Sequence, residues 1–261
     1  MPHAEFLVIV RQSLLRVLLA VGAILALLAL CAAYARFVEP TWLRVRRVKL
    51  SPSPTVRVIH ISDIHFKGDT RYLAKVVAAI NGLDADLVCF TGDLVEDAAF
   101  LDGALRCLSE VNKPLYGVPG NHDLWALRSF NAVQDAFRKT GGDWLSNDSI
   151  SIPSKRLVLM TLAGCQKQTP PGYKRILLEH YPDDTEQVRG VRFDLILSGH
   201  THGGQVSIPL LGKCVLPFDV GKHARGLFRT PCGPLYVNPG IGTFYLNVRF
   251  LCRPEVTVIE M

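Results

Sequence analysis

The feature that most restricts this chain is a run of 19 residues, 17–35, that carries no charge. Nothing in it is polar beyond Gly22 and the ring hydroxyl of Tyr34, and Arg16 and Arg36 close its two ends. A helix rises about 1.5 Å per residue and the hydrocarbon core of a bilayer is about 30 Å thick, so a run of this size spans it. A cleaved secretion signal is the competing reading, because Arg11 and Arg16 form a basic leader and Ala33-Tyr34-Ala35 resembles a cleavage site. The apolar region of such signals is usually about 7–15 residues, shorter than this one. Cys31 follows the bulky Leu30, where a lipoprotein signal would have a small residue. A retained anchor over residues 1–36 is therefore expected.

Basic residues near a span set its orientation. Arg11 and Arg16 stand on the amino side, against Arg36, Arg44, Arg46, Arg47 and Lys49 on the carboxyl side. That excess predicts a single-pass protein of the inner (cytoplasmic) membrane with its large domain in the cytoplasm. The seven cysteines agree, since their number is odd and none forms a CxxC pair. Residues 37–55 read as a basic juxtamembrane segment and first strand, in contact with anionic headgroups or serving as a charged sheet edge. Residues 56–261 form the soluble domain, whose apolar share of about 45% is ordinary for a globular protein. Beyond residue 36, 26 basic residues face 22 acidic ones. That near balance, without an aromatic–basic stripe, argues against a nucleic-acid partner. No obligate protein partner is evident.

Strand and helix patterns alternate after the break at 51–54. Strands are expected at 56–61, 86–91 and 115–118, and helices at 72–82, 98–111 and 125–139. The second half reads as short strands at 156–162, 175–178, 194–197, 205–208, 235–237 and 256–259. The pattern predicts an α/β fold of two sheets packed face to face, with helices outside.

The polar residues of interest follow those strands: Asp63 and His65, then Asp93, then Asn121, His122 and Asp123, then His180, then His200 and His202. Five of the eight histidines fall in these loops, at the strand ends where ligands bind in such sheets. Carboxylates, imidazoles and an amide oxygen suit borderline divalent metals: Mn, Fe, Zn or Co. An Asp-x-His pair in an extended turn points both side chains one way. The set is too large for one ion and suits two sharing a carboxylate, which clamp a phosphoryl group and activate water.

Asp63-x-His65, Gly92-Asp93, Gly120-Asn121-His122-Asp123, His180 and Gly199-His200-Thr201-His202 together resemble the calcineurin-like metallophosphoesterase superfamily. Gly203-Gly204-Gln205-Val206 and Pro254-Glu255 resemble its membrane-associated bacterial branch. The resemblance implies a four-layer α-β-β-α sandwich. It implies one metal held by Asp63, His65 and His202, a second held by Asn121, His180 and His200, and Asp93 bridging both. His122 would serve the phosphate or the leaving oxygen, with Asp123 orienting its ring. The implied reaction is hydrolysis of phosphodiester or pyrophosphate bonds. A lipid-linked substrate such as UDP-2,3-diacylglucosamine, used in lipid A synthesis, is favoured by the anchor. The alternatives are a tethered phosphatase or phosphodiesterase of soluble nucleotides or phosphoproteins, and a non-catalytic membrane scaffold.

Other residues carry plainer expectations. His60 reads as a core residue, and Asp69, Asp97 and Asp102 as caps or solvated charges. Asn238-Pro239-Gly240 reads as a turn. An apolar rim is expected at 208–211 and 216–218. A phosphate clamp could come from Lys174, Arg175, Arg225, Arg229 or Arg249. The connection 165–174 is short for the resemblance, which would open one side of the cleft.

Overall fold

A computed structural model describes residues 2–188, 190–208, 212–214 and 222–261, with side chains for all of these but 2–5, 186 and 212–214. Along the chain the elements are α1 (Pro2–Phe37), β1 (Arg44–Lys49), β2 (Arg57–Ile61), α2 (Thr70–Asn81), β3 (Leu87–Phe90), α3 (Leu101–Leu108), β4 (Leu115–Gly117), α4 (Asn121–Ala126) and α5 (Asn131–Lys139). Then follow β5 (Asp143–Trp144), β6 (Ser149–Ile152), β7 (Leu157–Met160), β8 (Lys174–Leu178), β9 (Leu195–Ser198), β10 (Val206–Ile208), β11 (Gly212–Cys214), β12 (Gly226–Thr230), β13 (Gly233–Val237) and β14 (Glu255–Glu260).

One sheet runs β1-β14-β2-β3-β4-β5 and the other β12-β13-β9-β8-β7-β6. Strands β2 to β5 are parallel, and so are β7, β8, β9 and β13. Strict alternation along the strands sorts side chains into layers. Val88 and Phe90 pack under α2, α3 and α5, while Leu87 and Cys89 face the other sheet. Ile176, Leu178, Leu195 and Leu197 meet them from β8 and β9. Leu177 and Ile196 point outward, where Val188, Phe193 and Cys165 cover them. The cover there is a 3-10 turn at Pro182–Val188 and loops, and no α-helix contributes to that cluster among the described residues.

Several boundaries differ from the sequence reading. The expected helix at 125–139 is two helices, broken at Leu127, whose φ of −112° and ψ of 130° are extended. The expected helix at 98–111 begins as a 3-10 turn capped by Asp97 and ends at Leu108. Asp69 caps α2, accepting from the Tyr72 amide at 2.9 Å. Apart from Ile208, the expected apolar rim lies outside the described residues.

The amino-terminal helix is longer than its apolar run. α1 covers 36 residues, and it is long and apolar enough to cross a membrane. Its end is fixed to the domain, not freely tethered. Ala35 O accepts from the Arg249 amide at 2.9 Å. The buried Glu39 carboxylate accepts from the amides of Leu251 and Cys252 at 2.8 and 2.5 Å.

His60 sits in the core, with Nε2 2.9 Å from Thr91 Oγ1 and Nδ1 buried without a partner. Burial lowers its pKa from 6.5 to about 3. The unfolded chain therefore takes up this proton first, and the contribution to stability is complete above pH 6.5 and lost as pH falls toward 3. Thermal unfolding of the full chain in detergent, compared with His60→Asn, is expected to show the parent losing about 1.4 kcal/mol more per pH unit below 6.5. Parallel curves for the two proteins would contradict this.

Candidate metal centre

The carboxyl ends of β2, β3 and β4 in one sheet and β8 and β9 in the other converge on one edge of the sandwich. The loops leaving these strands carry all nine residues singled out in the sequence. Asp63, His65, Asp93, Asn121, Asp123, His180 and His202 are buried, and His122 and His200 are partly exposed.

Two sets of atoms face each other across the cleft. In the first, His65 Nε2 and His202 Nε2 lie 2.9 Å apart, with Asp63 Oδ1 3.5 Å from the His202 nitrogen. In the second, His180 Nε2 lies 3.1 Å from Asn121 Oδ1, and Asp93, His180 and His200 each offer a ligand atom to one spot. A single oxygen joins the sets: Asp93 Oδ2 is 3.3 Å from both His65 Nε2 and His180 Nε2.

The donor set fits divalent cations. A histidine ligand must be neutral, with one nitrogen free. Burial drives His200 down to about 4 and His202 well below its ordinary value. His180 Nδ1 is 2.6 Å from the Thr91 carbonyl, which can only accept, so this nitrogen carries the proton and Nε2 faces the cleft. Burial pulls His180 down as well, but the Asp93 carboxylate outweighs it and raises the ring to about 10. Burial would raise the Asp93 carboxyl, but His180, with His65 and His122, holds it below the usual carboxylate range. A buried anion here therefore demands a positive neighbour, which a bound cation supplies.

The backbone is bent to make this arrangement. Asp63, His65, Asp93, His200 and His202 all have φ between 41° and 67°. The left-handed region costs a non-glycine residue energy, and such strain gathers at functional sites. The Asp63–His65 pair thus converges through left-handed turns, not through the extended alternation expected. At Gly120 a Cβ would fall 2.1 Å from Asp93 Oδ1, so the two loops approach closely only because that residue has no side chain.

One residue departs from its expected role, and a residue not singled out takes it. Asp123 does not orient His122. Its Oδ1 and Oδ2 accept from the backbone amides of Leu94, Asp93 and Gly120 at 2.8, 2.8 and 3.0 Å. The acid facing His122 is Glu96, whose Oε2 lies 3.0 Å from His122 Nδ1 and whose Oε1 lies 2.8 Å from His65 Nδ1. Burial lowers the His122 pKa, but the contact with Glu96 and the charge of Asp93 overcome it and leave the ring above its ordinary value. Glu96 stands three residues past Asp93 in a stretch that reads as strand exit, so only its acidic type could have marked it.

Among the clamp candidates, Arg249 is fully buried and bonded to the carbonyls of Pro239, Gly242 and Cys252. Lys174 and Arg175 open β8, at the end of that strand away from the site. Lys67 is nearer, with Nζ 3.6 Å from Glu96 Oε1.

The profile of the calcineurin-like phosphoesterases matches residues 56–204, which contain this whole constellation. The chain belongs to that family. It is a metal-dependent phosphoesterase of the metallophosphoesterase fold. It is 29% identical over 250 residues to the phosphodiesterase YaeI of Escherichia coli, covering 87% of this chain and 92% of that one. It is 26% identical over 312 residues to the UDP-2,3-diacylglucosamine pyrophosphatase LpxG of Chlamydia trachomatis, covering 91% and 94%. A transmembrane protein with metallophosphoesterase domain from Danio rerio is 30% identical over 240 residues, covering 79% of this chain and 53% of that one.

In this phosphoesterase, the Glu96 carboxylate favours the protonated form of His122. In Glu96→Gln, kcat/KM is expected to fall about tenfold or more, and its alkaline limb to move to lower pH because His122 releases its proton earlier. A pH–rate profile of the metal-loaded protein measures both, and an unmoved limb would show that Glu96 does not act through His122.

Proposed function

We propose that the nine-residue cleft is a two-metal hydrolase site for phosphodiester or pyrophosphate bonds, acting on a lipid-linked substrate. The observation that carries this reading is the single Asp93 oxygen placed 3.3 Å from a histidine of each set. Asp63, His65 and His202 would hold one divalent ion, Asn121, His180 and His200 the other, and Asp93 would be shared. Manganese, iron, zinc or cobalt suits these donors, manganese being our first choice. When bound, the pair of ions polarises phosphoryl oxygens and lowers the pKa of water enough for attack near neutral pH.

The chain's own residues do the rest. His122 stands at the cleft mouth, partly exposed and with its protonated form favoured by Glu96, where it donates to a phosphoryl oxygen or to the departing oxygen. Its backbone amide donates to Asp93 Oδ1 at 2.9 Å, so its position follows that of the shared carboxylate. Phe244 lies 5.1 Å from the His122 ring and 5.9 Å from the His65 ring, an apolar neighbour of both. Trp125 is 73% exposed, with its ring 4.9 Å from His122. That face suits stacking of a nucleobase such as uracil.

The pyrophosphatase relative and the apolar helix support UDP-2,3-diacylglucosamine as substrate, with α1 retained in the inner membrane as residues 1–36. The basic residues after it favour an orientation with residues 56–261 on the cytoplasmic face. Trp125 would equally serve a soluble nucleotide, which is the second reading. Turnover of UDP-2,3-diacylglucosamine in mixed micelles with manganese is expected to exceed that of soluble nucleotide diesters by at least about tenfold. Soluble turnover without lipid turnover would reverse the choice.

His122→Ala is expected to lower kcat by about 10²–10⁴-fold, with the bound metal, measured by elemental analysis, unchanged. Loss of metal in that variant would make His122 a ligand, and unchanged turnover would remove it from the mechanism.

A further inference from the structure

The segment 243–252 faces the site on one side and solvent on the other, and apart from Asn247 its exposed residues are apolar. Tyr245 and Leu246 are 78% and 58% exposed, and Leu251 is 49% exposed. This segment is clamped to the end of α1. Ala35 O takes the Arg249 amide at 2.9 Å, the Tyr34 ring meets Phe250 edge-on at 6.1 Å, and Glu39 takes the amides of Leu251 and Cys252. Phe37, 73% exposed, and Trp42, 48% exposed, continue the apolar surface on the helix side. Arg36 lies 5.2 Å from the Phe37 ring and Arg253 lies 4.0 Å from the Trp42 ring. Apolar and aromatic side chains interleaved with arginines, at the exit of a membrane-sized helix, are the composition of a bilayer interface. In water the same exposure is unfavourable.

The segment is also tied to the chain at Gln205. Gln205, fully buried, accepts from the Phe244 amide at 2.8 Å and donates to the carbonyls of Phe244 and Leu246 at 3.1 and 2.9 Å. Phe244 against the histidines and Tyr245-Leu246 against solvent are adjacent in sequence, so whatever holds the outer pair also places the site. A cavity of about 140 Å³ runs beside it from Pro40 and Thr41, at the helix exit, to His65 and Lys67.

We infer that segment 243–252 is a membrane-docking surface whose occupant is an anionic bilayer. Tyr245 and Leu246 enter the boundary between headgroups and acyl chains, and Arg36 and Arg253, beside Phe37 and Trp42, meet the anionic headgroups. The mouth of the metal centre is thereby held at headgroup depth, where a lipid phosphate reaches it without leaving the bilayer. This inference rests on the reading of α1 as a retained span.

The test uses the full chain in vesicles of phosphatidylcholine and phosphatidylglycerol at about three to one, prepared with and without lipids brominated near the headgroup end of the acyl chains. Leu246→Trp adds a reporter at the tip, and Asp102→Trp adds one at an exposed position of α3. The expected result is that bromolipid quenches about half of the emission added at 246 and little of that added at 102. Equal, weak quenching at both positions, in chain that resists alkaline carbonate extraction, overturns the docking surface and leaves the anchor standing. Release of the chain by carbonate overturns the span and the docking surface with it. Matching circular dichroism of both variants and the parent establishes that the reporters have not altered the fold.

Discussion

The structure turns on one buried carboxylate, Asp93, lying between imidazoles that arrive from opposite sheets. A buried charge is tolerated only with compensating partners. Here the compensation is His65 from the loop after β2 and His180 from the loop after β8, each 3.3 Å from the same oxygen. The two sheets are joined by an apolar layer, which is non-directional and sets their separation without setting their register. Asp93 and its histidines add the directional constraint. Asn238 adds another away from the cleft, donating to His60 O and Thr257 Oγ1 while accepting from the Gly240 amide. It is more than the simple turn residue its Asn-Pro-Gly context suggests.

Behind Asp93 stands a second carboxylate with a different task. Asp123 gathers the amides of residues 93, 94 and 120, so the turns after β3 and β4 are tied to one point. Burial and the Asp93 charge raise Asp123 to about 6, even though its backbone donors pull the other way. Two neighbouring acids from separate motifs thus divide the work: Asp93 faces the cleft, and Asp123 holds the backbone that aims it. The left-handed conformations of Asp63, His65, Asp93, His200 and His202 persist because this network over-determines them.

How much of this was readable in the sequence follows from what each feature depends on. The strand cores Leu87–Phe90 and Leu195–Ser198 were readable because buried strands write continuous apolar runs. The site residues were readable because they follow strands in a recognisable order. Glu96 was not, since its role depends on the ring directions of His65 and His122, which the tertiary fold sets. The break between α4 and α5 was hidden for a similar reason: residues 125–139 keep a helical period through Leu127, which is itself buried. Arg249 was misread because an arginine reads as solvent-exposed, whereas here backbone carbonyls of three residues enclose it.

The relation between the amino-terminal helix and the domain was the least readable feature, and it changes how the segment after the helix is understood. A basic stretch following an apolar helix reads as a tether. In the structure, β1 pairs in parallel with β14, placing the last strand of the chain between the first two. Arg44 pairs with the buried Glu255, which also accepts from Tyr236 Oη at 2.5 Å. Residues 44–49 cannot leave without exposing the edge of β14 and stranding a buried acid, a change that costs several kcal/mol. Six residues separate Phe37 from Arg44, and Glu39 within them is itself bonded to the segment beside the site. The helix is therefore a mount and not a leash. A domain on a leash samples all orientations to a membrane, and proximity alone raises its encounter with lipid. A domain on a mount presents one face, so the chemistry it performs depends on which face that is.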